Sequence, residues 1–173
     1  LKVELGSGKN PDPLYDLHLD IDVAQSPDLV ADALELPLRA NTVTEMKVVD
    51  VLEHISYRDT KAALTEWHRV MVKGARIYIQ VPEATEAIKR YMRGRIGTRS
   101  DLDPLPLVSL AWILMGGQYD QDYIQDKASW RFNSHYALFD QGTLKWYLKE
   151  VGFEVESMQV NAHPNILCWA VKV

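Results

Sequence analysis

Short apolar runs separated by turns fill the first half of the chain, a pattern that predicts a parallel sheet with helices between its strands. Lys2–Leu5 reads as a strand ending at Gly6 and Gly8, Leu17–Asp22 as a second, and Leu29–Ala31 as a brief third. Met46–Leu52 carries Val48, Val49 and Val51, the near-continuous apolar character of a central parallel strand. Ala75–Val81 is a fifth, closed by Pro82. Phe153–Val160 and Ile166–Val173 flank Asn161, Pro164 and Asn165 and read as a closing antiparallel pair.

Helical spacing appears in two places. Leu64, Trp67, Val70 and Met71 share one face, behind a Ser56/Asp59 pair that resembles a capping box, and Gly74 reads as the end of that helix. Asp140 is a candidate N-cap for a second helix, which turns Leu144, Tyr147, Leu148 and Val151 inward and stops at Gly152. Parallel neighbours normally need a crossover of about a dozen residues or more. Only residues 23–28 separate the second and third strands, so the topology is expected to be abbreviated there. The sum is one domain over 1–173 with a Rossmann-like three-layer α/β/α sandwich. Its sheet has seven mostly parallel strands and an antiparallel last strand. Residues 94–136 fit no standard strand or helix of such a core and read as an insertion.

Composition agrees with a globular domain: 47% hydrophobic, 25% charged, mean hydropathy −0.20. A chain of 173 residues buries a core without disulfides or metal staples. Cys168 is the one cysteine, so no internal disulfide forms, which fits a reducing, cytoplasmic setting. The net charge of −5 opposes a nucleic-acid partner, whose phosphates call for the reverse balance. No run reaches the roughly 18 apolar residues of a membrane span; Leu105–Met115 is too short and holds Pro106 and Ser109. No signal peptide is visible, and because Leu1 already stands in a strand-like run, an upstream segment is expected.

In an open α/β sheet, ligands bind beyond the carboxyl ends of the strands, where strand order reverses. The unusual residues of this chain stand at those ends. Glu4-Leu5-Gly6-Ser7-Gly8 follows strand one, Asp20 and Asp22 strand two, Asp32-Ala33 strand three and Glu53-His54 strand four. Glycines let a ligand lie against backbone N–H groups, and a strand-end carboxylate accepts hydrogen bonds from ribose hydroxyls.

In order and spacing, five segments resemble the class I S-adenosylmethionine-dependent methyltransferases, in particular their compact, type 11-like members. The segments are Glu4–Gly8, Asp20, Ala31-Asp32-Ala33-Leu34-Glu35-Leu36-Pro37, Val51-Leu52-Glu53-His54-Ile55 and Glu66–Gly74. Val151-Gly152-Phe153 ahead of the closing strands looks like the start of that family's terminal hairpin. The resemblance implies S-adenosyl-L-methionine as cofactor, with Gly6, Ser7 and Gly8 against its methionine part. Glu4 would brace that loop or reach the cofactor's amino group through water. Asp20 would hold the ribose, with Asp22 as its substitute. Asp32 would contact the adenine beside Ala33 and Leu34, and Asp50 and Val51 would pass the methionine end. Departures stand at Asn10, where a third glycine is usual, at Asn10-Pro11-Asp12-Pro13, which compresses the following helix, and at Lys73-Gly74-Ala75 in place of Pro-Gly-Gly.

The acceptor would then meet the insertion, since long loops beside an α/β site often form such pockets. His135 is the candidate general base. His54, Tyr119 and Tyr123 are candidate acceptor contacts, against the alternatives of a strand-capping histidine and of aromatics that only pack the loop. The expected acceptor is a small molecule or glycan-related; its identity and the oligomeric state stay open. Asp101, Asp103, Asp120, Asp122 and Asp126 match no compact ligand set, so no metal is expected. His18, His68, His163 and Cys168 read as structural or exposed. Three rivals remain: a protein that binds S-adenosylmethionine without transfer, a nicotinamide-dependent oxidoreductase, and an aminopropyl transferase. Asp32 and the hairpin fit the second poorly, and the acid-rich pocket the third needs is not evident.

Overall fold

The computed structural model describes residues 1–96, 106–116 and 133–173. Each run read as a strand in the sequence becomes one: β1 (Lys2–Leu5), β2 (Leu17–Asp20), β3 (Leu29–Val30), β4 (Val43–Val49), β5 (Met71–Pro82), β6 (Phe153–Val160) and β7 (Asn165–Lys172). They form one seven-stranded sheet in the order β3-β2-β1-β4-β5-β7-β6. β1 to β5 pair in parallel, and β7 runs antiparallel to both its neighbours. Helices complete a Rossmann-like α/β/α arrangement: α1 (Thr60–Val70), α2 (Ala84–Met92), α3 (Pro106–Met115) and α4 (Gln141–Glu150). Val3, Met46, Val48, Ile77, Ile79, Cys168 and Ala170 are fully buried, so the core is centred on β1, β4, β5 and β7. Among the described residues no helix is long and apolar enough to cross a membrane.

The boundaries differ from expectation where polar side chains end a strand early. β2 stops at Asp20 because Asp22 caps a 3₁₀ turn over Val23–Gln25, its carboxylate accepting from Ala24 N. That turn is the whole β2–β3 crossover, as abbreviated as the spacing implied. β4 stops at Val49 because Asp50 adopts a left-handed φ of 53°, and Leu52–His54 form a second 3₁₀ turn.

Helix ends differ too. No capping box forms at α1: the Asp59 side chain makes no cap bond, and the Ser56 carbonyl accepts from Asp59 N and Thr60 N at 2.8 and 3.0 Å. α1 also ends at Val70, with Gly74 inside β5, not at the helix terminus. The Lys172 ammonium covers the carbonyls of His68 and Met71 at 2.8 Å each, a cation at a helix C-terminus that satisfies orphaned acceptors. Asp140 caps α4 as expected, Oδ1 accepting from Thr143 N at 2.7 Å. α2, capped by the Glu83 carboxylate on Glu86 N, was not anticipated. Nor was α3, which lies inside the supposed insertion; its nearly all-apolar sequence hides the helical period.

Candidate functional site

Strand order reverses between β1 and β4, and the glycine loop after β1 sits at that point. Gly6 has φ 73° and packs so closely on Val51 that a Cβ would overlap Val51 Cγ2. The loop is tied to β2: Gly6 N and Ser7 N both donate to the Leu19 carbonyl, at 2.7 and 3.2 Å. Asp20 completes the tie, Oδ2 accepting from Gly8 N and Oδ1 from Asp22 N, both at 2.9 Å. One N–H on each oxygen leaves lone pairs on both.

Glu4 and Ser7 are buried beneath the loop and do not line the open space above it. Glu4 Oε2 accepts from Asp12 N at 2.7 Å, and Oε1 pairs with Lys47 Nζ at 2.8 Å. Lys47 also meets Asp12 Oδ2 at 2.8 Å and holds that carboxyl below its ordinary range. His18 adds a third tie, with Nδ1 against Asp28 Oδ2 at 2.9 Å and Nε2 against the Asp12 carbonyl at 3.0 Å. These contacts replace the helix that Pro11 and Pro13 preclude.

The segment after β3 is clamped from α1. Trp67 Nε1 donates to the Ala33 carbonyl at 2.9 Å, Glu66 Oε1 accepts from Leu36 N at 2.9 Å, and Arg69 donates to the Leu38 carbonyl at 3.0 Å. Asp32 is exposed at the start of this segment, where its Oδ1 closes a turn on Leu34 N.

Gly6, Gly8, Asp20, Asp22, Asp32, Ala33, Leu34, Asp50, Val51 and His54 all line one cleft of about 770 Å³, with Ile21, Ile55 and Asn133 among its other walls. The volume lies within the usual range for ligand sites. Asp50 faces this cleft; crowding by protein raises its pKa, and Gln80 Nε2 donates to its Oδ1 at 3.2 Å.

At one end of the cleft the structure gathers a group that the sequence analysis had not joined. His54 Nδ1 donates to the Ser134 carbonyl and His135 Nδ1 to the Ile113 carbonyl, each at 3.0 Å. The two rings meet edge to face, centroids 5.0 Å apart. Beside them Glu53 is 1% exposed, and neither of its oxygens has a hydrogen-bond partner among the described residues. One nitrogen of each imidazole and one Glu53 oxygen lie within 4.8 Å of one another. Burial, then the nearby Asp50 carboxylate, pushes Glu53 well above the ordinary carboxylate range. Burial lowers His54, and burial with the neighbouring His54 lowers His135 to about 4. Both imidazoles are therefore neutral near pH 7.

Comparison with solved structures identifies this architecture. An S-adenosylmethionine-dependent methyltransferase from Thermotoga maritima superposes with a TM-score of 0.61 at 15% identity, over 99% of this chain and 81% of that one. One from Mesorhizobium loti gives 0.61 at 17% identity, over 99% and 90%. The 1,6-didemethyltoxoflavin-N1-methyltransferase of Burkholderia thailandensis, solved with 1,6-didemethyltoxoflavin and S-adenosylhomocysteine, gives 0.61 at 15%, over 99% and 70%. The fold is that of the class I S-adenosylmethionine-dependent methyltransferases. No protein-family model and no curated protein matches the chain in sequence.

On this methyltransferase fold, the strand-end residues singled out in the sequence converge, apart from Glu4 and Ser7 below the loop. Tyr119, Tyr123 and the acids Asp101, Asp103, Asp120, Asp122 and Asp126 lie outside the described residues. Sequence reasoning missed Lys47, and it placed Glu53 at a strand end without assigning it a role. A lysine in mid-strand opposite Glu4 was a readable signal for the first, because β1 and β4 pair Glu4 with Lys47. What the sequence did not show is that Glu53 is buried, since nothing local marks it so.

Proposed function

We propose that the chain is an S-adenosylmethionine-dependent methyltransferase, one domain over 1–173, acting on a small-molecule or glycan-related acceptor. One observation carries this reading: the ends of β1, β2, β3 and β4 present glycine, aspartate, aspartate and Asp50-Val51 to a single cleft at the point where strand order reverses. The residues fit the cofactor. No Cβ can be accommodated at Gly6, and at Gly8 nothing stands within 4 Å of where a Cβ would be, so backbone is open to a ligand there. Asp20 keeps lone pairs for ribose hydroxyls, with Asp22 alongside. Asp32, Ala33 and Leu34 offer an acid and an apolar edge for a base.

S-adenosylmethionine supplies an electrophilic methyl group when bound. This chain's part is to bind, align and exclude water, effects worth several kcal/mol when reacting atoms are held in line. Glu4, Lys47 and His18 keep the glycine loop in place from below. Asp50 and Val51 border the cleft beside His54, which takes the acceptor side with His135 packed against it. His135 is the candidate base, with Tyr119 and Tyr123 as further acceptor contacts. At a pKa of about 4, His135 is neutral but weakly basic, so it suits an acceptor whose proton is already loosened.

Calorimetric titration of chelator-treated protein with S-adenosylmethionine and S-adenosylhomocysteine tests the reading. Micromolar binding is expected. An Asp20→Ala variant should bind about tenfold or more weakly, as for a lost charge-assisted hydrogen bond of about 1.5–3 kcal/mol. Absence of binding at millimolar ligand, or an unaffected Asp20→Ala variant, overturns it.

A further inference from the structure

We propose that Glu53, His54 and His135 form a binding site for one divalent first-row transition-metal ion at the wall of the cleft. The argument begins with donors and acceptors. A backbone carbonyl can only accept, so the contacts to Ser134 O and Ile113 O place the single proton of each neutral imidazole on Nδ1. Each Nε2 keeps its lone pair. A ring N–H held by a carbonyl is also the arrangement that orients metal-ligating histidines. Glu53 adds a carboxylate that is 1% exposed and has no partner among the described residues. Among the described residues, lone pairs thus converge with no side-chain N–H or cation to meet them, an arrangement that is costly unless something positive enters.

Distances support the same reading. Any two ligand atoms at about 2.0–2.2 Å from one ion stand no more than about 4.4 Å apart, and three in tetrahedral geometry stand closer. One nitrogen of each imidazole and one Glu53 oxygen lie within 4.8 Å of one another; three ligands of a tetrahedral ion stand about 3.3–3.6 Å apart, so side-chain movements of about 1 Å close the site. Two imidazoles and one carboxylate suit zinc, iron, cobalt or nickel more than calcium or magnesium, which prefer all-oxygen shells. His54 lines the cleft, whereas Glu53 and His135 stand behind it. Positions left open on the ion would face the cleft.

The surroundings keep His135 in place. Tyr136 N and Ala137 N donate to the Glu53 carbonyl at 2.8 and 3.2 Å, and His135 N donates to the Met115 carbonyl at 3.1 Å. Gly116, with φ 80°, lies against the Asn133 backbone, and a Cβ there would come 2.9 Å from His135 Cδ2. The backbone of 133–137 is thus held between the end of α3 and the turn after β4, so that His135 meets Glu53-His54.

The site does not depend on methyl transfer. If that reading holds, the consequence for it is specific: His135 serves as ligand and not as base. The acceptor class then narrows to molecules with an oxygen able to bind the ion, whose hydroxyl proton becomes more acidic there. That substrate statement rests on the methyl-transfer reading; the ion site is tested without the cofactor.

The experiment is titration of chelator-stripped, cofactor-free protein with Zn²⁺ by calorimetry and with Co²⁺ by visible absorption. One ion per chain is expected, with the intensified absorption of low-coordinate Co²⁺. Glu53→Gln and His135→Gln should each weaken binding by at least about 10–100-fold, and the exposed His163→Gln should not. Gly116→Ala, which replaces no ligand but displaces His135, should weaken it as well. Unchanged circular dichroism shows that each variant folds. Should both ligand variants fail to fold, the stoichiometry and Co²⁺ spectrum of the wild type decide. No stoichiometric ion, an octahedral aqua-like spectrum, or equal binding by folded Glu53→Gln and His135→Gln overturns the proposal and leaves a proton shared within the cluster in its place.

Discussion

The contact between Gly6 and Val51 joins the glycine loop to β4, and a mutant cycle measures it. Gly6→Ala brings two costs. A left-handed φ of 73° costs a non-glycine residue about 1–2 kcal/mol. The new methyl also overlaps Val51 Cγ2, and forcing a carbon into filled space typically costs about 1–3 kcal/mol more. The single variant should therefore lose about 2–5 kcal/mol. Val51→Ala alone should lose about 1 kcal/mol, since its half-buried γ carbons are worth no more than two methylenes. In the double variant the closest remaining Val51 atom is Cβ, at 3.5 Å, an ordinary contact. Only the backbone cost and the Val51 loss then remain. The double variant should be more stable than the sum of the singles implies by about 1–3 kcal/mol, a coupling readable from urea unfolding of the four proteins. Costs that add to within about 0.5 kcal/mol would refute the reasoning, because residues in contact do not behave independently. They would also mean that the loop does not rest on β4 as described.

Two further outcomes follow from titrating groups elsewhere in the fold. The Asp12 carbonyl and the Asp28 carboxylate raise the pKa of His18 above its ordinary 6.5, so its stabilisation is fully present below that value and is lost as pH rises through the folded-state pKa. The stability difference between wild type and His18→Asn, from urea unfolding, should shrink from about pH 6 to pH 8.5; a difference constant with pH would contradict this. Burial raises the Cys168 thiol to about 12, and its side chain is 0% exposed. A thiol reagent at about pH 8 should therefore label Cys168 in urea and leave the native protein unmodified over the same period.

Much of the fold was legible because strands announce themselves locally. A central parallel strand such as β4 is apolar along much of its length, others alternate, and all seven runs could be read with errors of a few residues at their ends. Two of the early strand ends share a kind of cause: Asp22 and Asp50 end strands through a side-chain cap and a left-handed φ, which depend on what the neighbouring backbone offers. α3 escaped because a helix apolar all round has no amphipathic period to detect.

The candidate site divides along the same line. Gly6, Gly8, Asp20, Asp32 and Asp50 follow strand ends, and in a parallel sheet all strand ends point one way, so their convergence on one cleft is a consequence of chain order. The sequence by itself determined that much. Glu4 illustrates the limit: its place beside two glycines left open whether it braces the loop or reaches toward a ligand, and packing sets it under the loop on Lys47 and Asp12. The meeting of Glu53-His54 with His135 belongs wholly to the tertiary structure. His54 and the Ser134 carbonyl that orients it are 80 positions apart. Which carboxylate loses its water and which ring nitrogen keeps its lone pair depend on neighbours brought together only when α3 and the backbone of 133–137 close against the turn after β4.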